Sequence, residues 1–330
     1  MQSGVFMNRR EFSALLGAGL FLGSSSGHAE SWPGKPVKLI VPFAAGSSPD
    51  IVNRLFANEL ALALGQPVII DNRPGANGIT GTAAALGAAP DGYTLLYVNV
   101  GTLAINPTLF PKQKYDPLVD LVPIALTAST MNALVVRPTL PVHSVQDLIA
   151  YAKAHPDKLT MGSSGTGTTG HLSGELFKEM AGITAVHVPY KGSSAAYTDI
   201  AGERVDFMFD NLLSVGPYAK DGRVRLLAVT ASQRSALFPE VRTLQETGLK
   251  GYETISWGGI AAPRGTPQPL IQKLQQAAEK TNQSPAVKAF YQQTGTLAMA
   301  PMSAEQFIAF VKREQDKWAA LVKRAGAANI

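Results

Sequence analysis

The chain has 330 residues, 45% of them hydrophobic, with a formal charge of +5 and no cysteine. The lack of thiols excludes disulfides, thiolate metal centres, cysteine nucleophiles and a lipid-modified cysteine anchor. The charges are scattered without a basic run, so nucleic acid is not an expected partner.

The first residues read as a targeting segment. Arg9 and Arg10 make a charged start, Phe12 follows at the spacing of a twin-arginine signal, and Ala14 to Leu22 is an apolar run. That run is too short for a bilayer, which needs about 20 apolar residues. Gly27-His28-Ala29 offers the small residues a signal peptidase reads, so residues 1–29 are expected to be removed by cleavage near Ala29 and the remainder exported in soluble form. Loss of Arg9, Arg10 and Glu11 lowers the formal charge to +4. The about 300 residues that remain exceed one ordinary core, and two domains are the expectation.

Short β-branched runs then alternate with helical patterns, which predicts α/β architecture with mainly parallel sheets. Val37 to Phe43 is expected as a buried strand that ends in Ala44-Ala45-Gly46-Ser47-Ser48. A helix opens near Pro49, with Ile51, Val52, Leu55 and Leu62 as its inward stripe. Val68 to Asp71 is the next strand; it enters the glycine-containing loop 72–78 and a helix from about Ile79 to Ala88, and Tyr93 to Asn99 is a third strand.

From about Leu126 the pattern restarts. Ala133 to Arg137 reads as a strand, and Ser144 to Asp147 as a capping box for a helix ending near His155. Thr160 to Ser163 is a strand before a Gly/Thr loop and a helix through Met180; Ala185 to Tyr190 is a strand before a helix to about Ala201; Val205 to Phe209 and Arg225 to Thr230 follow. Two closing helices are expected, one capped by Thr266 and one by Ser303 with Gln306 reaching back.

Val41-Pro42-Phe43 before Gly46-Ser47-Ser48 is echoed by Val188-Pro189-Tyr190 before Gly192-Ser193-Ser194. The repeat is either a common strand exit or a pair of loops facing one ligand, since open α/β sheets bind ligands at strand carboxyl ends. The loops 44–50, 72–78 and 163–171 all lead into helices, and backbone N–H groups there with nearby hydroxyls make an anion site without a formal cation. Turn and capping roles account for the same residue types.

Enzyme signatures are weak. Gly165-Thr166-Gly167-Thr168-Thr169-Gly170 spells G-x-G-x-x-G, but the next strand ends in Tyr190-Lys191 without the acid that a dinucleotide ribose requires. Gly162-Ser163-Ser164-Gly165 is not a nucleophile elbow, and the five histidines lack metal-ligand spacing. His171 is read as a hydrogen-bonded first-turn residue or a ligand contact, and His187 as packed. Asp50 either holds donors in place or meets an amine on the ligand, and Lys191 is either a solvated loop lysine or a cleft charge.

Nine blocks in order carry a resemblance over nearly the full length: VPFAAGSSPD (41–50), GQPVIIDNRPGANG (65–78), APDGYTLL (89–96), GTLAINPTLFPK (101–112), SSGTGTTGHLSGELF (163–177), VHVPYKGSSAA (186–196), FMFDNL (207–212), RLLAVTASQR (225–234) and WGGIAAPRGTP (257–267). The chain resembles the Bug-type periplasmic receptors of tripartite tricarboxylate transporters. The resemblance implies a two-domain periplasmic-binding-protein fold of the Venus-flytrap, type II-like kind, with a small organic carboxylate in the cleft, no cofactor and no covalent chemistry. It places Phe43, Ala45, Gly46, Ser47 and Asp50 in a first ligand loop, Ser163, Gly165, Thr168 and His171 in a second, and Tyr190 and Lys191 near the cleft. Ser47, where many relatives have glycine, and Pro49 depart from the pattern. The expected domains are 30–127 with 229–330, and 128–228. The expected partners are the carboxylate and the membrane components of such a transporter, with the receptor a periplasmic monomer; the other readings are an exported cofactor-binding oxidoreductase and a partner that presents ligand to a membrane sensor.

Overall fold

The structure is a computed structural model and describes residues 32–324; the expected signal segment lies outside these residues. The first part of the chain forms β1 (Val37–Val41), α1 (Ser48–Leu64), β2 (Val68–Asn72), α2 (Ile79–Leu86), β3 (Thr94–Asn99), a π-turn at Gly101–Ile105 and the short α3 (Asn106–Leu109). A long strand, β4 (Leu121–Val136), leads to α4 (Val145–Ala154), β5 (Thr160–Ser163), α5 (Thr169–Ala181), β6 (Val186–Pro189), α6 (Ser193–Ala201), β7 (Phe207–Asn211), α7 (Leu212–Lys220) and β8 (Arg225–Val229). The chain returns through β9 (Ile255–Pro263), α8 (Gln268–Asn282), α9 (Pro285–Thr294), β10 (Leu297–Ala298) and α10 (Ala304–Arg324).

The strands lie in the order β2-β1-β3-β9-β4-β7-β5-β6, with β8 and β10 paired to β4 off this path. β1 is parallel to β2 and β3, and β5 is parallel to β6 and β7. The centre is antiparallel: β9 pairs with β3 and β4, and β4 with β7 and β8. The expectation of mainly parallel sheets therefore holds for the flanks and fails at the middle. There β4, at 16 residues, pairs with β9 along its first part and with β7 and β8 along its last, so one strand belongs to both halves.

A core through the shared centre joins the halves, running from Ile40, Leu96 and Val98 to Leu134, Phe177 and Phe209, and each half adds an outer core of its own. Leu39, Val41, Phe56, Leu60, Leu95 and Ile260 form one, and Val135, Ala196, Ile200, Met208 and Leu212 another. The inward face of α1 is Phe56, Ala57 and Leu60, with Ser48, Asp50 and Asn53 also buried; Ile51 and Leu62, expected to face inward, are 37% and 76% exposed. Buried polar groups at the start of α1 turn its face away from the stripe that apolar spacing alone selects. α10 runs back over the π-turn and buries Val311 and Trp318, while its Glu314 accepts the indole N–H groups of Trp257 and Trp318 at 2.6 and 3.1 Å.

The expected caps have a mixed outcome. Ser144 and Ser303 cap as expected, with Asp147 and Gln306 answering. Thr266 instead donates to the Pro263 carbonyl, and α8 starts behind Pro267. α9, started by Ser284 and Pro285, is a third closing helix beyond the two expected.

Gly170, in the first turn of α5, seats that helix on β7: a Cβ there would fall on the carbonyl oxygen of Phe209. Gly170→Ala is expected to destabilise the fold by roughly 1–3 kcal/mol through overpacking, read as a lowered urea midpoint at unchanged slope. An unchanged midpoint would show that this approach does not constrain α5.

Candidate functional site

Strand exits and helix starts from both halves meet in one cleft of about 630 Å³. Its walls include Phe43, Ser47 and Ser48 at the start of α1, Asn77 before α2, Ser164 to Thr166 and Thr168 to Gly170 at the start of α5, Tyr190 to Ser193 at the start of α6, and Asp210, Asn211 and Ser214 around the start of α7. Five helix N-termini thus open onto it. Each carries roughly half a positive charge and first-turn N–H groups with no intrahelical acceptor. Ser47, Gly192 and Asn211, the N-cap residues of α1, α6 and α7, make no side-chain cap. Among the described residues, Lys191 and Asp210 are the only charged side chains on the wall, Lys191 exposed and Asp210 buried.

The first loop is held from behind. Asp50 is 2% exposed; its carboxylate accepts from the Gly46 amide at 2.8 Å, Arg54 Nε at 2.9 Å and Asn72 Nδ2 at 2.9 Å. Asn72 Nδ2 also donates to the Phe43 carbonyl at 3.1 Å. Burial pushes the Asp50 carboxyl up, and the hydrogen bonds from Arg54, Gly46 and Asn72 with the Arg54 charge outweigh it, leaving the group below the ordinary carboxylate value. Of the two readings left open for Asp50, the geometry is that of a residue holding the loop: it lies behind the wall. Ala45 and Gly46 also stand off the wall, and the Ser47 hydroxyl donates to the Ala44 carbonyl at 2.6 Å.

The second loop has a similar backing. The Thr168 hydroxyl accepts the His171 amide at 3.3 Å and donates its one proton to the Gly165 carbonyl at 2.8 Å, so it caps α5 and shapes the loop. The amides of Thr169 and Gly170, ahead of the first intrahelical bond, are the donors left at this end. His171 is buried and accepts the Gly167 amide on Nδ1 at 3.1 Å, which puts the ring proton on Nε2. It stacks on His187 with ring centroids 3.9 Å apart, and His187 Nε2 meets the Ser163 hydroxyl at 2.7 Å. Burial, then the neighbouring His187 and Lys178 charges, push His171 down to about 3, and burial with Lys178 pushes His187 down to about 4. Ser163 and His171 are therefore neutral supports beneath the wall. Gly165, Thr168, Tyr190 and Lys191 are on it, with the Tyr190 hydroxyl donating to Asp199 at 2.6 Å.

The α7 corner lies outside the residues expected from sequence. Asp210, 3% exposed, accepts the Tyr197 hydroxyl at 3.1 Å and is also hydrogen-bonded by Ser193 and the Asn211 amide; Asn211 Oδ1 and Ser214 Oγ are buried there without a protein partner. The available signal is Asp210-Asn211 directly before a helix, in a block that already carries the resemblance. Asn77, Asn99 and Ser256 on the wall are likewise beyond the expected set.

Two α/β lobes that share a strand and face each other over a donor-lined cleft define a two-lobed solute-binding protein. The chain belongs to the tripartite tricarboxylate transporter family of receptors, whose model matches residues 52–327. It is 36% identical to Protein BugT of Bordetella pertussis over 301 residues, which is 91% of this chain and 92% of the relative. Among solved structures it is similar to the periplasmic binding protein BugD (32% identity, TM-score 0.85, 90% and 99% of the two chains). It is similar also to an R. palustris protein solved with adipate (37%, 0.86, 90% and 99%) and to MatC from Rhodopseudomonas palustris with bound malate (32%, 0.83, 88% and 100%). No helix among the described residues is long and apolar enough to cross a membrane.

Burial raises the Asp210 carboxyl to about 6 from 3.8, more than its hydrogen bonds from Ser193, Asn211 and Tyr197 lower it. The folded protein then holds a proton that the unfolded chain has released, so this group's contribution falls as pH rises between about 4 and 6, by roughly 3 kcal/mol in all. Asp210→Asn is expected to gain stability over the parent by that amount across the window, measured by urea unfolding at pH 4, 5, 6 and 7. A difference that does not change with pH would show that Asp210 titrates normally.

Proposed function

We propose that the protein is a periplasmic receptor that captures a small organic carboxylate between its lobes, as a monomer and without covalent chemistry, and delivers it to the membrane components of a tripartite tricarboxylate transporter. The observation that carries this reading is the convergence of five helix starts on one cleft whose only cation, among the described residues, is the exposed Lys191. Such a wall favours an anion of any shape that reaches several N–H groups at once. The adipate and malate held by two relatives support small dicarboxylic acids as first candidates. The lobes would divide near residues 127/128 and 228/229. Removal of residues 1–29 after Ala29, by the twin-arginine route, would deliver the protein to the periplasm.

Phe43, Ser47, Gly165, Thr168, Tyr190 and Lys191 would form the cleft surface. Ala45, Gly46, Asp50, Ser163 and His171 would hold the two loops that present the donors. Each helix start contributes about 0.3–1 kcal/mol to a nearby anion, and up to ~2 when partly buried, so several together sustain binding without an ion pair. Lys191, at the rim, adds attraction that solvent screens.

A thermal-shift screen of adipate, malate, monocarboxylates and acidic amino acids is expected to find at least one stabilising acid; a ligand at 100 times its Kd adds about 2.7 kcal/mol. With the best acid, calorimetry on Lys191→Ala is expected to show a loss of less than about fivefold, which is under 1 kcal/mol. Thr168→Val removes the cap of α5 and is expected to lower both stability, by about 1 kcal/mol, and affinity. If Lys191→Ala abolishes binding while Thr168→Val binds normally, an ion pair holds the ligand and the neutral-donor reading is wrong.

A further inference from the structure

Asn77 joins the two lobes directly across the cleft. Asn77 Nδ2 donates one hydrogen to Asn106 Oδ1 at 2.9 Å, in its own lobe, and the other to the Gly167 carbonyl at 2.9 Å, in the opposite lobe. Asn106 is fully buried and returns a bond from its Nδ2 to the Asn77 carbonyl at 3.0 Å. The pair Asn77 and Asn106 is therefore built within one lobe, and it aims the remaining N–H of Asn77 at the opposite lobe. The backbone agrees: Asn77 is left-handed, at φ 48° and ψ 39°, a conformation asparagine tolerates better than most residues.

The receiving side is shaped for this approach. Gly167 sits at φ +80°, and a Cβ on it would run into Leu109 Cδ2, which belongs to the first lobe. A second close pass lies nearby, where a Cβ on Gly192 would stand 3.7 Å from Ala44 Cβ. Asn77 lines the cleft, yet both of its amide hydrogens are engaged by protein, so it has no donor left for an anion. The contacts are between protein atoms only and are available with or without a ligand.

We propose that Asn77 is the latch of the cleft: a positioning residue that holds the lobes together through Gly167, maintains a closed population in the ligand-free protein and lengthens the stay of whatever is captured. The latch rests on the cross-lobe geometry; its effect on residence time rests also on the carboxylate reading. A ligand that binds the closed form gains from any closure already present, because the apparent affinity scales with the competent fraction.

The chain has no cysteine, so spin labels on Asn58→Cys and Lys153→Cys, both exposed and one in each lobe, report only the distance between them. The first variant is Asn77→Gly, which keeps the left-handed backbone and the carbonyl bound by Asn106 and removes the bonds to Gly167 and to Asn106 Oδ1. Without ligand, its label distances are expected to shift toward the open form relative to the parent. With adipate, malate or the best acid from the screen, the dissociation rate is expected to rise about three- to tenfold with little change in association. Gly167→Ala, whose methyl meets Leu109 Cδ2 in this closed arrangement, should shift the distances in the same direction, and the strain of alanine at φ +80° is read separately as a lowered melting temperature. A purely structural role for Asn77 would lower the melting temperature and leave the distances unmoved, and that result in both variants would overturn the latch. The distance measurement uses no ligand, so failure of every acid to bind would count against the proposed function and not against the latch.

Discussion

The two lobes share β4, and everything else in the molecule depends on how that crossing is pinned. Its centre is a closed set of neutral polar groups, all without solvent exposure. Asn132 N donates to Thr230 Oγ1 at 2.9 Å and the Thr230 amide returns a bond to the Asn132 carbonyl at 2.9 Å. Thr230 Oγ1 meets the Thr254 carbonyl at 2.7 Å, and Asn132 Nδ2 donates to Ser173 Oγ, which meets Thr254 Oγ1. A buried network is stable only when its members satisfy one another, and then it defines one geometry. This one ties β4 and the two chain segments that cross beside it to Ser173, inside α5. The helix whose first turn faces the cleft is thereby fixed to the crossing and cannot drift independently of it.

The two loops that present donors to the cleft are held by satisfied groups as well. A loop that offers backbone donors to an anion has to be held without placing a free negative charge against it or a free positive charge beside it. Asp50 meets the first condition because Arg54, Gly46 and Asn72 occupy its oxygens, so its charge acts on the loop from behind the wall. The stacked histidines meet the second. Burial keeps both neutral well below their ordinary value, and His171 uses its lone pair on the Gly167 amide, which a protonated ring would lose. The supports of these two loops thus add little field of their own, and the helix starts act on the cleft together with Lys191 and Asp210.

Much of this is legible in the sequence where the signal is local. Most of the strand and helix order in both flanks, though not α3 or α7, the Ser144 and Ser303 caps, and the loops at the starts of α1, α2 and α5 follow from apolar runs, glycines and hydroxyl residues before helices. The antiparallel centre is not legible. β9 reads Ile-Ser-Trp-Gly-Gly-Ile-Ala-Ala-Pro, poor in β-branched residues, because a Cβ on Gly259 would collide with the Ala125 carbonyl oxygen of β4. Small residues that look like a loop are there to let two backbones pair. The site is half legible for the same kind of reason. Thr168 and Asp50 stand in the right loops, but whether a side chain faces the cleft or props the loop depends on partners such as Gly165 or Asn72, which sequence distance does not reveal. Asp210 is hidden because a carboxylate beneath an anion site contradicts simple charge matching, and only the three hydrogen bonds that hold it explain its place.

The separation of roles between the wall and its supports bears on release as well as capture. An anion held by one buried ion pair leaves behind an unpaired charge, so its exit is slow and every geometry that breaks the pair is costly. Donors at several helix starts behave differently, because each first-turn N–H can return to water as the lobes part. They are divided between the lobes: α1 and α2 start on the first, and α5, α6 and α7 on the second. On the proposed reading, separation of the lobes would dismantle the anion site in stages, and the contact from Asn77 to Gly167 that would oppose it lies between protein groups and not between protein and ligand. Affinity and opening would in this way be set by different atoms, which would let such a receptor bind firmly in the closed form and still surrender its ligand when the lobes are drawn apart.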